Sequence, residues 1–125
     1  MNTYNAGIDI GSTTVKLVLL DAQKNVVFGQ YRRHHAQTQQ ALAALLKEAR
    51  EQVGECALQV KITGSGSINL GKAMNIGFVQ EVVAVASALQ SIAPQTDVAI
   101  DLSGLRCYSF RNLNPYGLIL GLQIR

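Results

Sequence analysis

The first third of the chain reads as β-structure. Tyr4 to Ile10 is apolar and β-compatible, Gly11-Ser12-Thr13 interrupts it, and Val15 to Leu20 is a β-branched and leucine run. Asp21-Ala22-Gln23-Lys24-Asn25 is a turn string, after which Val26 to Tyr31 resumes the β pattern. Three such runs with two short connections predict an antiparallel meander. The period then changes. Leu42, Leu45, Leu46, Ala49 and Val53 recur at helical spacing, with Lys47, Glu48, Arg50 and Glu51 on the other side. This predicts a helix over 37–53, capped by Thr38, closed at Gly54, and packed by its apolar stripe on one face of the meander.

Leu58, Val60 and Ile62 alternate with Gln59, Lys61 and Thr63, which predicts a fourth strand with one polar side. Gly64-Ser65-Gly66-Ser67 is a loop leading into a short helix over 67–74, and Phe78-Val79 is a candidate short strand. Glu81 to Ile92 predicts a helix so apolar that it should be well buried, ended by Pro94. Asp97 to Leu102 predicts a further apolar strand. A strand meander followed by helix–strand crossovers implies the α/β class, a mixed sheet with helices on its faces.

Size and charge narrow the functional classes. A chain of 125 residues matches one small domain and can bury roughly two-thirds of its unfolded surface. Hydrophobic residues make up 48% and charged residues 15%, which excludes a disordered chain. No apolar run reaches the length of a membrane span, and the start, Met1-Asn2-Thr3-Tyr4-Asn5, has no basic-then-apolar leader. The expectation is a cytoplasmic protein with no membrane partner. The net charge of +3 belongs to the last 20 residues: 1–105 holds eight Lys/Arg and eight Asp/Glu, while Arg106, Arg111 and Arg125 follow without an acid. A neutral body without a basic stripe argues against nucleic acid as a partner. Cys56 and Cys107 form no C-x-x-C and no metal-ligand pattern, which favours two reduced thiols.

The string that carries chemistry is Gly7-Ile8-Asp9-Ile10-Gly11-Ser12-Thr13-Thr14-Val15-Lys16, at the tip of the first predicted hairpin. Gly11 lets the backbone turn tightly and approach a ligand. Loop N–H groups and the hydroxyls of Ser12, Thr13 and Thr14 can donate to phosphate oxygens. Asp9 can hold a hydrated magnesium ion, and Lys16 is a cation for phosphates. A hairpin register that opposes Asp9 and Lys16 directly puts both on one face. The rival reading is an ordinary turn with a surface Asp and Lys. Elsewhere, Gly64 to Ser67 reads as an anion-binding loop or a simple strand-to-helix turn, Arg32-Arg33-His34 as a solvated strand end, and Glu81 as a first-turn helix acid.

The Asp9-to-Lys16 string resembles the first phosphate-binding motif of the actin, Hsp70 and sugar-kinase ATPase superfamily, and the element order is similar to that superfamily's ribonuclease H-like βββαβαβ lobe. More narrowly, Gly7 to Asp21, Tyr31-Arg32-Arg33-His34, Ile62-Thr63-Gly64-Ser65-Gly66 and Phe78 to Ala84 resemble the BadF/BadG/BcrA/BcrD-type ATPases, the CoA activases that activate 2-hydroxyacyl-CoA dehydratases. The resemblance covers roughly 4–104. It implies an N-terminal ATPase lobe over 1–105 and a divergent tail over 106–125. It implies that Asp9 positions magnesium or the attacking water, and that Gly11, Ser12, Thr13, Thr14 and Lys16 line the phosphates of ATP. It also implies that Asp101 and Gly104 belong to the second phosphate motif. In the family, ATP hydrolysis is coupled to electron delivery from a [4Fe-4S] cluster to an acyl-CoA dehydratase component, by a homodimer.

The match has departures. Where the family's second motif reads D-(I/L)-G-G-(Q/E)-D, this chain has Asp101-Leu102-Ser103-Gly104-Leu105-Arg106. The cysteine-containing glycine-rich segment does not follow, and Cys56 and Cys107 do not match the cluster cysteines. A frame interruption near residue 103 would produce such a break. The expectation is a lobe with negligible ATPase activity alone. Two alternatives stand beside it: a non-catalytic interaction module of the same fold, and a sugar-kinase or Hsp70-like lobe.

Overall fold

The computed structural model describes residues 1–96, 98–101 and 106–109, the last two stretches as backbone elements. The chain divides into two compact units at Val79/Gln80.

The first unit is built on five strands. β1 (Asn2–Ile10), β2 (Thr14–Leu20) and β3 (Val26–Arg33) form the predicted meander. α1 (Thr38–Val53) then leads to β4 (Cys56–Thr63), and α2 (Ile68–Ala73) leads to β5 (Gly77–Phe78). The sheet order is β3-β2-β1-β4-β5. β1 is antiparallel to β2 and parallel to β4, and β5 is parallel to β4. A parallel pair cannot be closed by a tight turn, so the crossover through α1 is what allows β4 to lie beside β1.

Alternation along the strands sorts the two faces. Ala6, Ile8 and Ile10 on β1, Val15, Leu17 and Leu19 on β2, Phe28 on β3 and Ile62 on β4 form the core with Ala41, Leu42, Leu45 and Ala49 of α1. Leu17, Leu45, Val15 and Ile62 are fully buried. Burying a Leu or Ile side chain stabilises by about 1.5–3 kcal/mol, so this layer holds most of the unit's stability. The same alternation sends Asn5, Gly7 and Asp9 of β1 to the other face. Small devices close the connections. Asp21 Oδ1 accepts the N–H groups of Gln23 and Asn25, both at 2.9 Å, and so shapes the β2–β3 turn. At the C-terminus of α1, Gly54 takes φ +81° and donates its N–H to Arg50 O.

Two sequence expectations need correction. Thr38 is the first residue of α1, not its cap; Gln37 is the cap and makes no side-chain cap bond. Gln37 is placed instead by a turn, its N–H donating to His34 O at 2.7 Å. α3 (Glu81–Ile92), in the second unit, buries only Ala86 and leaves Val83 and Ile92 exposed. Apolar composition alone does not bury a helix; a partner face of matching shape does. Separately, β6 (Val98–Asp101) pairs antiparallel with β7 (Arg106–Ser109), a short strand at the start of the stretch read as a divergent tail. The rest of that stretch, 110–125, lies outside the described residues.

Candidate functional site

The site lies where the C-terminal ends of β1 and β4 stop side by side, Asp9 beside Thr63. On one flank the chain leaves β1 into Gly11-Ser12-Thr13; on the other it leaves β4 into Gly64-Ser65-Gly66-Ser67. Crevices outside the carboxyl ends of neighbouring strands are where open α/β sheets bind ligands. A larger apolar groove of about 380 Å³, lined by Met1, Leu46, Val53, Cys56 and Leu58, lies at the opposite end of this sheet and holds none of the candidate chemistry.

Asp9 and Lys16 are directly opposed across β1 and β2, the register required to bring them to one face. Lys16 Nζ stands 3.8 Å from Asp9 Oδ2, with the two side chains 45% and 33% exposed. The pair is therefore open to a ligand at the lip of the sheet. The same cross-strand row continues to Tyr31 on β3 and Thr63 on β4. Thr63 Oγ1 is buried and has no hydrogen-bond partner.

The hairpin loop is clamped from both sides through its carbonyl oxygens. Ile10 O accepts the N–H of Gly66 at 3.0 Å, and Thr14 O accepts that of Gly11 at 2.9 Å. Thr13 O accepts the backbone N–H of His34 at 3.0 Å, and Gly11 O lies 3.0 Å from His34 Nε2. Carbonyl oxygens repel anions, so a loop whose carbonyls are committed to internal donors is suited to meet an anion with its N–H and hydroxyl groups. Ser12 and Thr13 are exposed at the tip. Thr14, half-buried, begins β2 opposite Arg33.

The Gly64 loop braces this arrangement. Gly64 has φ +102°, and a Cβ there would lie 2.2 Å from Ile10 O and 2.7 Å from Asp9 Oδ1. A Cβ on Gly66 would fall 2.9 Å from Ile10 Cγ2. Glycine is required at both positions for the second loop to touch the first. Ser67 is fully buried, and its hydroxyl donates to Gly64 O at 2.7 Å, fixing the turn. The Gly64-to-Ser67 turn from β4 into α2 thus braces the end of β1, a role neither sequence reading included.

The remaining expected residues are placed as follows. Asp101 ends β6, its backbone opposite Arg106 of β7. Gly104 lies outside the described residues. Arg32 pairs with Glu48 of α1, tying β3 to the helix. His34 and Thr63 were not read as site residues in the sequence, whereas Gly64 to Ser67 was read as either an anion-binding loop or a strand-to-helix turn, not as a brace for β1. The two glycines flanking a serine at a strand end were the available signal; nothing local marks His34, whose partner is 23 positions away.

No protein-family model and no curated protein sequence matches the chain. Solved structures do match in fold. The five-strand mixed sheet with its helices is of the α/β class and is shared by members of the actin-like ATPase fold. In particular, the chain is similar to the activator of 2-hydroxyisocaproyl-CoA dehydratase from Clostridium difficile, solved with bound ADPNP. The TM-score is 0.73 at 22% identity, over 97% of this chain and 45% of that one. It is similar also to component A of (R)-2-hydroxyglutaryl-CoA dehydratase from Acidaminococcus fermentans, with TM-score 0.70 at 22% identity, over 95% of this chain and 46% of that one. The ethanolamine utilization protein EutJ from Carboxydothermus hydrogenoformans matches at TM-score 0.58 and 14% identity, over 78% of this chain and 43% of that one. The chain thus spans less than half the length of each of these proteins.

Proposed function

We propose that this chain is the first lobe of an ATP-dependent activator of the 2-hydroxyacyl-CoA dehydratase type, and that its β1–β2 hairpin holds the phosphates of ATP. The observation that carries the reading is the direct opposition of Asp9 and Lys16 at the lip of a loop whose Gly11 and Thr13 carbonyls are internally bonded. The likeness of fold to an activator solved with bound ADPNP supports it.

In this reading the backbone N–H groups of Ser12 and Thr13 at the loop tip and the hydroxyls of Ser12, Thr13 and Thr14 bind phosphate oxygens, the Gly11 N–H being spent on Thr14 O. Lys16 neutralises their charge, and Asp9 would position magnesium or the attacking water. Magnesium fits this lip, because it takes one or two carboxylates and completes its shell with phosphates and water. Asp9 is partly exposed, and the unpartnered Thr63 hydroxyl lies in the same row. When bound, the ion supplies charge neutralisation on the phosphoryl oxygens. Asp101 and Gly104 are assigned by resemblance to a second phosphate contact.

An iron–sulfur cluster does not fit the described residues. Among them no three His, Cys, Asp or Glu side chains converge, and Cys56 opens β4 at the end of the sheet away from Asp9. Electron transfer, a homodimer and a dehydratase partner are therefore properties assigned to the whole activator. No helix among the described residues is long and apolar enough to cross a membrane; the cytoplasm is the compartment assigned here.

The test is a titration of the ¹⁵N-labelled chain with MgATP. Shifts centred on Ser12, Thr13 and Thr14, lost in Asp9→Asn and Lys16→Ala, are expected, with a Kd near the millimolar range because one lobe supplies only part of the contacts. An unperturbed spectrum at saturating MgATP would instead favour the non-catalytic interaction module.

A further inference from the structure

His34 makes three bonds of a kind that place it above an ordinary strand-end residue. Its backbone N–H donates to Thr13 O at 3.0 Å. Its Nε2 lies 3.0 Å from Gly11 O, and its Nδ1 lies 3.1 Å from the backbone N of Ala36. A carbonyl oxygen can only accept and a backbone N–H can only donate. Nε2 must therefore carry the proton and Nδ1 must be bare, which selects one neutral tautomer of the imidazole. The turn that delivers the ring is itself strained: His35 and Ala36 take φ +47° and +65° in succession. Non-glycine residues in the left-handed region persist where surrounding contacts over-determine them. Here those contacts are the His34 ring bond to Ala36 and the Gln37 N–H on His34 O at 2.7 Å.

We infer that His34 is a positioning residue of the anion-binding hairpin: its ring, in the Nε2–H tautomer, holds the Gly11 carbonyl oxygen away from the ligand, while its backbone N–H holds that of Thr13. The inference rests on the phosphate-site reading above and deepens it. His34 does not touch the ligand; it acts through the loop. Without the ring, the Gly11 carbonyl loses its donor, and the peptide between Gly11 and Ser12 is free to turn that oxygen toward the phosphates.

The test uses the 125-residue chain with MgATP as the probe. Long-range ¹H–¹⁵N spectra of the imidazole should show a protonated Nε2 and an unprotonated Nδ1 in the free chain. His34→Ala should raise the Kd for MgATP about tenfold, the size of one lost hydrogen bond at a loop that must otherwise reorganise. His34→Gln, whose amide offers both a donor and an acceptor, should recover most of that loss, with the amide shifts of Gly11 to Thr14 returning toward the parent pattern. A protonated Nδ1 in the free chain overturns the inference. So does parent-like affinity in a folded His34→Ala, or a His34→Gln that regains thermal stability but not affinity. If the parent chain itself fails to bind MgATP, the phosphate-site reading falls, and the inference falls with it.

Discussion

The two faces of the five-strand sheet carry residues drawn from the same strands, yet they do opposite work. On one face, Ile8, Ile10, Val15, Leu17 and Ile62 meet α1 and are shut away from water. On the other, the row Tyr31, Lys16, Asp9 and Thr63 runs across four strands, with its central ion pair open to solvent. Neighbours in sequence thus divide labour: Ile8 and Ile10 anchor the strand, and Asp9 between them is held out at its lip. The core face supplies rigidity, and the site face uses it. An aspartate at the end of a central strand, paired on both sides, has little freedom to drift from the loop it serves.

This division is open to direct attack. The largest effect is expected on the core face. Leu45→Ala removes a fully buried side chain of α1 and should cost about 3 kcal/mol in chemical denaturation, within the usual range for buried leucine. A loss below about 1 kcal/mol would mean that α1 does not hold the sheet. Next comes the junction of the two faces. Gly64→Ala forces a Cβ against Ile10 O at a positive φ and should cost about 2 kcal/mol. Because the clash reaches Asp9 Oδ1, it should also shift the amide resonances of Gly11 to Thr14. Stability loss without a change in that loop would separate the brace from the site. Ser67→Ala deletes the hydroxyl bond to Gly64 O and should cost about 1 kcal/mol.

The site face is expected to answer in the reverse sense. Asp9→Asn weakens a partly exposed ion pair, so its stability cost should stay below about 1 kcal/mol. Its effect on MgATP binding should nevertheless be greater than that of any of the three preceding variants that remains folded. A large drop in melting temperature for Asp9→Asn would show that the pair is structural and would blur the distinction between faces. The smallest effect lies at the β2–β3 turn. The backbone N–H of Asn25, with further bonds from the Asn25 side chain and Gln23, holds the Asp21 carboxyl below its ordinary value. Stability linked to this group is therefore present above the unfolded carboxyl value and lost as the pH falls through the lower folded value. Denaturation midpoints measured from pH 5 to pH 2 should show a small downward step that Asp21→Ala removes.

Much of this was legible in the chain. The meander, α1 with Gly54 at its end, and the fourth strand followed from period and turn residues, because alternation and helical spacing are local properties. The opposition of Asp9 and Lys16 was legible as well, since a short hairpin loop leaves few registers. The cap of α1 was not, because Gln37 is placed by a turn that His34 organises. Nor was the exposure of Val83 and Ile92 on α3, which depends on what packs beside the helix. The brace at Gly64 and Gly66 was legible only as an anion-binding loop or a strand-to-helix turn, because a close approach has no local signature beyond the glycine itself.

The sequence by itself determined the elements and which residues share a face, since strand and helix periods are set within a few residues of chain. It also placed a phosphate-suited string at the end of the first strand. Only the tertiary structure decided what surrounds that string. Thr63 comes beside Asp9 because α1 carries the chain across to a parallel partner. His34 closes on Gly11 because three strands of matched length bring the end of β3 level with the first loop. Contacts between positions tens of residues apart are fixed by packing, and packing is a property of the whole sheet.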